Sequence, residues 1–180
     1  MKVGATYVRS YDTTQASGIT RGPFLWGGTG TNSANLRGVG VGSAVATDSF
    51  GAQFQFDITE KFSLRGWGAY TDANIFNDGD NGDADIWNYA AALVVSDVLK
   101  EGNLAAIIVG AEPYLTSIDP DGDGDEEISN DVPIHVEALY NYQLNDNILI
   151  TPGFIWLPTP NQDADNSDIY IGTIRTTFSF

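Results

Sequence analysis

Three groups of residues in this sequence have types and spacings that could do chemistry. In DPDGDGDEE, Asp119 to Glu127, carboxylates stand at Asp119, Asp121, Asp123 and Asp125, and Gly124 is sixth, which is how a calcium loop begins. The twelfth position is Asn130 instead of a bidentate Glu, and no helical pattern flanks the stretch. The expectation is weak divalent-cation binding, about millimolar, by a cation collector at an entrance. The plainer reading is a solvated acidic loop tip. His135 shares an alternating face with Glu137, Leu139 and Asn141. With no cysteine and no second histidine for company, it reads as an ordinary wall residue before it reads as a ligand. Arg65, Glu137 and Arg175 stand on the polar faces of two-faced segments. Such charges either set the field along a channel, and so its ion preference, or pair with one another and hold a wall together.

Nothing here makes an enzyme. No G-x-S-x-G elbow frames a serine, and GGTG at Gly27–Gly30 lacks the lysine and helix of a phosphate cradle. The absence of cysteine removes thiol nucleophiles, disulfides and thiolate metal sites. No catalytic residue and no cofactor is expected.

The elements that would position these side chains have a period of two. In SFGAQFQFDI one face is Phe50, Ala52, Phe54, Phe56 and Ile58, and the other is Ser49, Gly51, Gln53, Gln55 and Asp57. That is a strand with one greasy and one wet face. After a tight turn at Thr59-Glu60, KFSLRGWGAY sets Phe62, Leu64 and Tyr70 against Ser63 and Arg65. With KVGATYVRSY before them and DIWNYAAALVV, NLAAIIVGAEPYL, IHVEALYNYQL, NILITPGFIWL and DIYIGTIRTTFSF after, the count is about eight strands of some ten residues. Strands that cross an outer membrane at a tilt need roughly 9–11 residues, more than the usual soluble strand. Connections alternate. Residues 11–48, 71–84, 111–131 and 158–167 are long and rich in Gly, Asp, Asn and Thr, and the others are short. Long outer loops and short periplasmic turns belong to an up-and-down transmembrane barrel. Segment 11–48 is a candidate constriction, with Arg21 and Arg37 facing the lumen.

Composition narrows the partners. With 24 acidic and 8 basic residues the chain carries a net charge of −16, which leaves no basic stripe for nucleic acid. No apolar run is long enough for a transmembrane helix, and MKVGATYVRS lacks the apolar core of a signal peptide. If exported, the chain is a mature form or a fragment. Tyr70, Trp87, Tyr89, Tyr140, Tyr142, Trp156, Tyr170 and Phe180 sit near strand ends, as an interfacial girdle would. In the last strand Tyr170, Ile174, Phe178 and Phe180 would meet lipid, while Thr173, Arg175 and Thr177 face inward. An alternating strand that ends in Phe resembles the signal by which outer-membrane barrels are recognised for assembly.

Longer stretches resemble the iron-uptake porins of cyanobacteria, relatives of the carbohydrate-selective porins. They are GDADIWNYA (Gly82–Ala90), KEGNLAAIIVGAEP (Lys100–Pro113), YNYQLNDNILITPGFIWLPTP (Tyr140–Pro160) and DIYIGTIRTTFSF, with looser likeness through KVGATYVRSY, GTGTNSANL and FSLRGWGAYTDA. The resemblance implies a single outer-membrane barrel domain over residues 1–180 and places it in the outer membrane of a Gram-negative-type bacterium. It implies passage of iron, other inorganic ions or small solutes, with sugars second. Assembly machinery and lipid would be its partners, and a homotrimer its assembly. The family's barrel has about twice this strand count, so the likeness covers only its C-terminal half, without the signal peptide, wall-binding segment or coiled-coil spacer. Two other readings stay open. One is a soluble β-sandwich that binds carbohydrate or calcium through its loops. The other is a small closed eight-stranded barrel that conducts nothing.

Overall fold

The computed structural model describes residues 1–12, 25–37, 44–76, 81–124 and 126–180. Eight strands follow one another: β1 (Lys2–Asp12), β2 (Ala44–Asp57), β3 (Phe62–Phe76), β4 (Gly82–Ser96), β5 (Leu104–Asp119), β6 (Ile134–Asn145), β7 (Ile148–Leu157) and β8 (Ile169–Phe178). Each pairs antiparallel with its neighbours in a single sheet of order β1 to β8, so every connection is a hairpin. The only helical piece among the described residues is a 3-10 turn at Pro160–Gln162. The fold is all-β and up-and-down. It is one sheet and not two packed sheets, so the sandwich reading falls. No ladder joins β1 to β8 among the described residues, so the sheet does not close on itself as a small barrel.

Cross-strand register sorts the side chains into two faces. Val3 lies opposite Phe54, Tyr7 opposite Phe50, Phe50 opposite Tyr70, Tyr70 opposite Trp87, and Trp87 opposite Tyr114. The last four pairings form one aromatic row across five strands, with ring centroids 5.2 Å apart for Tyr7–Phe50 and 5.1 Å for Tyr70–Trp87. Below it the same face carries Leu64, Leu93, Ile107 and Val109, and it ends near the short turns at Phe62, Tyr140 and Tyr142. From Tyr70 to Phe62 the chain runs about 26 Å along the strand, or about 20 Å after a typical tilt, close to the apolar band of an outer-membrane barrel. Immediately above the aromatic row, Asp48, Asp72 and Asp85 stand opposite one another on β2, β3 and β4.

The other face is polar at mid-height, with Thr6, Ser49, Gln53, Asn88, Glu137, Asn141, Thr173 and Arg175. It turns apolar at two places. Near the short turns Ala92, Val94 and Ala106 are buried against Leu104, Ile108 and Leu139. Near the long loops Val45, Ala73, Ile75, Ala84, Ile86, Leu115 and Ile118 form the main core, which is closed by Ala34 and Leu36 of the segment between β1 and β2. Residues 25–37 therefore lie on this face and fill the space above it.

This core explains why the central strands outrun their sequence-based lengths. β3, β4 and β5 reach 15, 15 and 16 residues, so much of segments 71–84 and 111–131 is strand and not loop. Thr71, Ala73 and Ile75 keep the alternation going because the docked segment gives their inner face something apolar to meet. β5 needs two irregularities to match. Register shifts lie between Trp87/Tyr89 and Asp85/Ile86 on β4, and the extra residues on β5 turn both Leu115 and Ile118 into the core. Pro113, which has no N–H to give a ladder, sits at the first of them.

Candidate functional site

The docked segment and strands β3 to β6 border an open cavity of about 450 Å³ on the polar face, lined by Trp26, Trp67, Asn88, Glu112, His135 and Glu137. A second hollow of about 270 Å³ adjoins it and shares Trp26, Trp67 and Asn88.

Each side chain is placed by local chemistry. Trp26 heads a turn held by Asn35, whose Oδ1 accepts from the Trp26 N–H at 3.0 Å. The Asn35 Nδ2 donates to the carbonyls of Thr29 and Thr31, each at 2.9 Å. That turn is pinned to β5 where the Thr31 N–H donates to the Pro113 carbonyl at 2.9 Å. Gly30 permits the approach. Its φ is +81°, and a Cβ there would stand 2.5 Å from the Pro113 oxygen. Trp67 lies on β3 on the same face as Ser63 and Arg65 and is 47% exposed, unusual for so large an apolar ring facing a polar space. The Trp26 Nε1 is buried with no acceptor among the described residues.

His135 stands opposite Gly110 on β5. Its Nδ1 is 3.0 Å from Glu112 Oε1, and its Nε2 is 3.5 Å from Glu137 Oε2. The histidine therefore sits between two half-buried carboxylates, one from β5 and one from its own strand.

Arg65, Glu137 and Arg175 all lie on the polar face, on β3, β6 and β8. No ion pair joins them among the described residues, and the Glu137 carboxylate instead faces the His135 imidazole. Arg65 belongs to a different hollow, beside Lys2 and Gln55. Tyr170, Ile174 and Phe178 lie on the apolar face of β8, and Phe180 follows past its end. Asp168, just before β8, accepts from Trp156 Nε1 at 2.8 Å and from the Tyr170 hydroxyl at 2.9 Å. These donors, Trp156 first, hold its carboxyl below the usual range.

The acidic loop brings Asp119, Asp121 and Asp123 together, with carboxylate oxygens within 4.8 Å of one another. Asp119 already accepts from the N–H of Gly122 at 2.6 Å and of Gly124 at 3.2 Å, so its carboxylate shapes the turn. Asp125 lies outside the described residues, as does Arg21. Arg37 is exposed at the end of the docked segment.

The sequence reading missed Trp26, Trp67, Asn88 and Glu112. For Trp67 a signal was present, since it falls in step with Ser63 and Arg65 on the wet face of its strand. Trp26 and Glu112 depend on the fold of a long connection and on a partner from a neighbouring strand, which periodicity does not report.

A long antiparallel up-and-down sheet with an aromatic-edged apolar face, and a polar face covered by a docked segment, has the architecture of a β-barrel wall of the porin class. The family model described as "Carbohydrate-selective porin, OprB family" matches residues 3–180, and the chain belongs to that family, one of channels and not of enzymes. It is similar to an uncharacterized protein of Nostoc sp. (alr4550), 34% identical over 180 residues, covering 100% of this chain and 29% of that protein. It is also similar to one of Synechocystis sp. (sll0772), 33% identical over 194 residues, covering 99% of this chain and 34% of that protein. The chain thus spans about a third of the length of the curated relatives it matches. No solved structure matches it significantly. No helix among the described residues is long and apolar enough to cross a membrane, and that leaves strand crossing untouched.

Proposed function

We propose that the chain forms part of the wall of an outer-membrane porin that passes small hydrophilic solutes by diffusion, with the polar face as lumen and the apolar face toward lipid. The observation that carries this reading is the docked segment 25–37, which covers the polar face and leaves a cavity edged by Trp26 and Trp67. A half-exposed tryptophan beside Asn88, His135 and two glutamates suits a solute with both a flat apolar face and many hydroxyls, which describes a sugar. The family's name as carbohydrate-selective points the same way.

The free edges of β1 and β8 support a larger barrel. Backbone groups along them would go unpaired in lipid, which neither donates nor accepts hydrogen bonds. Further strands, as in a C-terminal portion of a longer porin, would satisfy them. Phe178 and Phe180, with Tyr170 and Ile174, would then serve recognition by the assembly machinery, and a homotrimer would be the assembly.

A second reading, passage of inorganic cations including iron, draws on the net charge of −16. Conductance across a planar bilayer separates the two. Block of the ion current by a neutral hexose, weakened about tenfold or more in Trp67→Ala, supports the sugar reading. Current insensitive to sugars, with strong cation preference, supports the second. A closed barrel, this chain completed by the further strands, that passes no current refutes both.

A further inference from the structure

We infer that His135 Nε2 and the Glu137 carboxylate form a binding site for a first-row divalent metal ion, with Glu112 holding the imidazole in the orientation that presents its ligand atom. An ionised carboxylate can only accept, so the 3.0 Å contact to Glu112 places the ring proton on Nδ1. A neutral imidazole then has its lone pair on Nε2, which faces a second acceptor, Glu137 Oε2, at 3.5 Å. The gap between these two atoms takes either a second proton, which makes an imidazolium held by both carboxylates, or a metal ion.

The spacing fits a metal ion. With metal–nitrogen and metal–oxygen bonds of about 2.1 Å, two donors at a tetrahedral angle stand about 3.4 Å apart. The outer partner fits as well. A histidine that ligates through one nitrogen and donates through the other to a carboxylate is the arrangement that fixes the tautomer and strengthens the ligand. The cavity beside Gly110 leaves room for water in the remaining positions. An imidazole donor selects zinc, nickel, copper or iron over calcium and magnesium, which prefer oxygen ligands alone. This separates the site from the acidic loop at Asp119, whose donors are all oxygen.

The inference does not depend on conduction. The full chain, folded in detergent micelles above neutral pH, is titrated calorimetrically with Zn²⁺. One ion per chain is expected. His135→Gln and Glu137→Gln each weaken binding tenfold or more, and Glu112→Gln weakens it about 10- to 100-fold. A triple variant, Asp119→Asn with Asp121→Asn and Asp123→Asn, binds as the parent does. Strand circular dichroism and heat-dependent gel mobility identify variants that have lost the fold. Binding that survives in folded His135→Gln, or disappears only in the triple variant, overturns the site. So does a folded parent that binds no Zn²⁺, since a proton alone would then fill the gap. A parent that binds Zn²⁺ while the barrel completed by the further strands carries no current leaves the site standing and removes the channel reading.

Discussion

Leu36→Ala tests whether the segment over the polar face is a separately docked unit. Leu36 is 1% exposed and packs into the core formed by Val45, Ala73, Ile75, Ile86, Leu115 and Ile118. Its φ of +55° is left-handed, and alanine would keep that strain, so the substitution isolates packing. Truncating a fully buried leucine costs about 2–5 kcal/mol, depending on how far the site collapses. The strand ladders beneath do not use the Leu36 side chain, so the loss falls on docking. A loss of about 3 kcal/mol multiplies the undocked population about 150-fold. Amide hydrogen exchange reads this directly. The Thr31 N–H, bonded to the Pro113 carbonyl, should exchange faster by that factor, while ladder amides such as Val109 stay protected. Single-channel steps should grow as the cavity loses its cover. Equal acceleration at Thr31 and Val109 would refute separate docking. Faster exchange at Thr31 with unchanged steps would refute narrowing of the lumen by this segment. Gly30→Ala should reach the same state by another route, because its Cβ would collide with Pro113.

Gln162, 4% exposed, accepts from the Leu115 N–H at 3.0 Å and donates to the carbonyls of Leu115 and Ser129, each at 2.6 Å. Gln162→Ala orphans these groups and should cost about 1–3 kcal/mol in denaturant unfolding, with an unchanged midpoint counting against the role. Asp72 lies opposite both Asp48 and Asp85, so Asp72→Asn should stabilise the sheet by about 0.2–1 kcal/mol, more at low salt. A destabilised variant would mean that the aspartate has a favourable role in place. Asp168 titrates below its ordinary range when folded, so its bonds stabilise above the unfolded value and are lost as pH falls through the lowered one. The melting-temperature gap between the parent and Trp156→Phe should therefore shrink as pH falls below about 4. A gap that widens on acidification contradicts the assignment.

Much of the sheet was legible in the sequence because a two-sided environment writes itself in alternation. Phe50 through Ile58 could be assigned to faces residue by residue, and so could Phe62, Leu64, Ser63 and Arg65, because every step of a strand reverses the side chain. Alternation fails where the environment changes along a strand. Leu115 and Ile118 stand three apart yet share one face, since β-bulges reset the count. Thr71 to Phe76 resembled a loop because its turn-forming residues, Asp72 and Asn74, point away from a core that only the docked segment reveals. The site was harder still. His135 looked solitary in sequence because Glu112 comes to it from another strand, 23 positions away.

The two ends of this sheet close on different timescales. At the short turns, Thr59 to Lys61 and Asn145 to Asn147 join strands adjacent in sequence, and each hairpin can zip without waiting for the others. At the long-loop end the Asn32 N–H donates to Asn161 across 129 positions, and Gln162 reaches back 47 to Leu115. Those bonds need β5, the 25–37 segment and the β7–β8 connection all in place, so that end is assembled last. A chain caught midway would hold its hairpins while its polar face stood uncovered, a wide and ungated precursor of the finished wall.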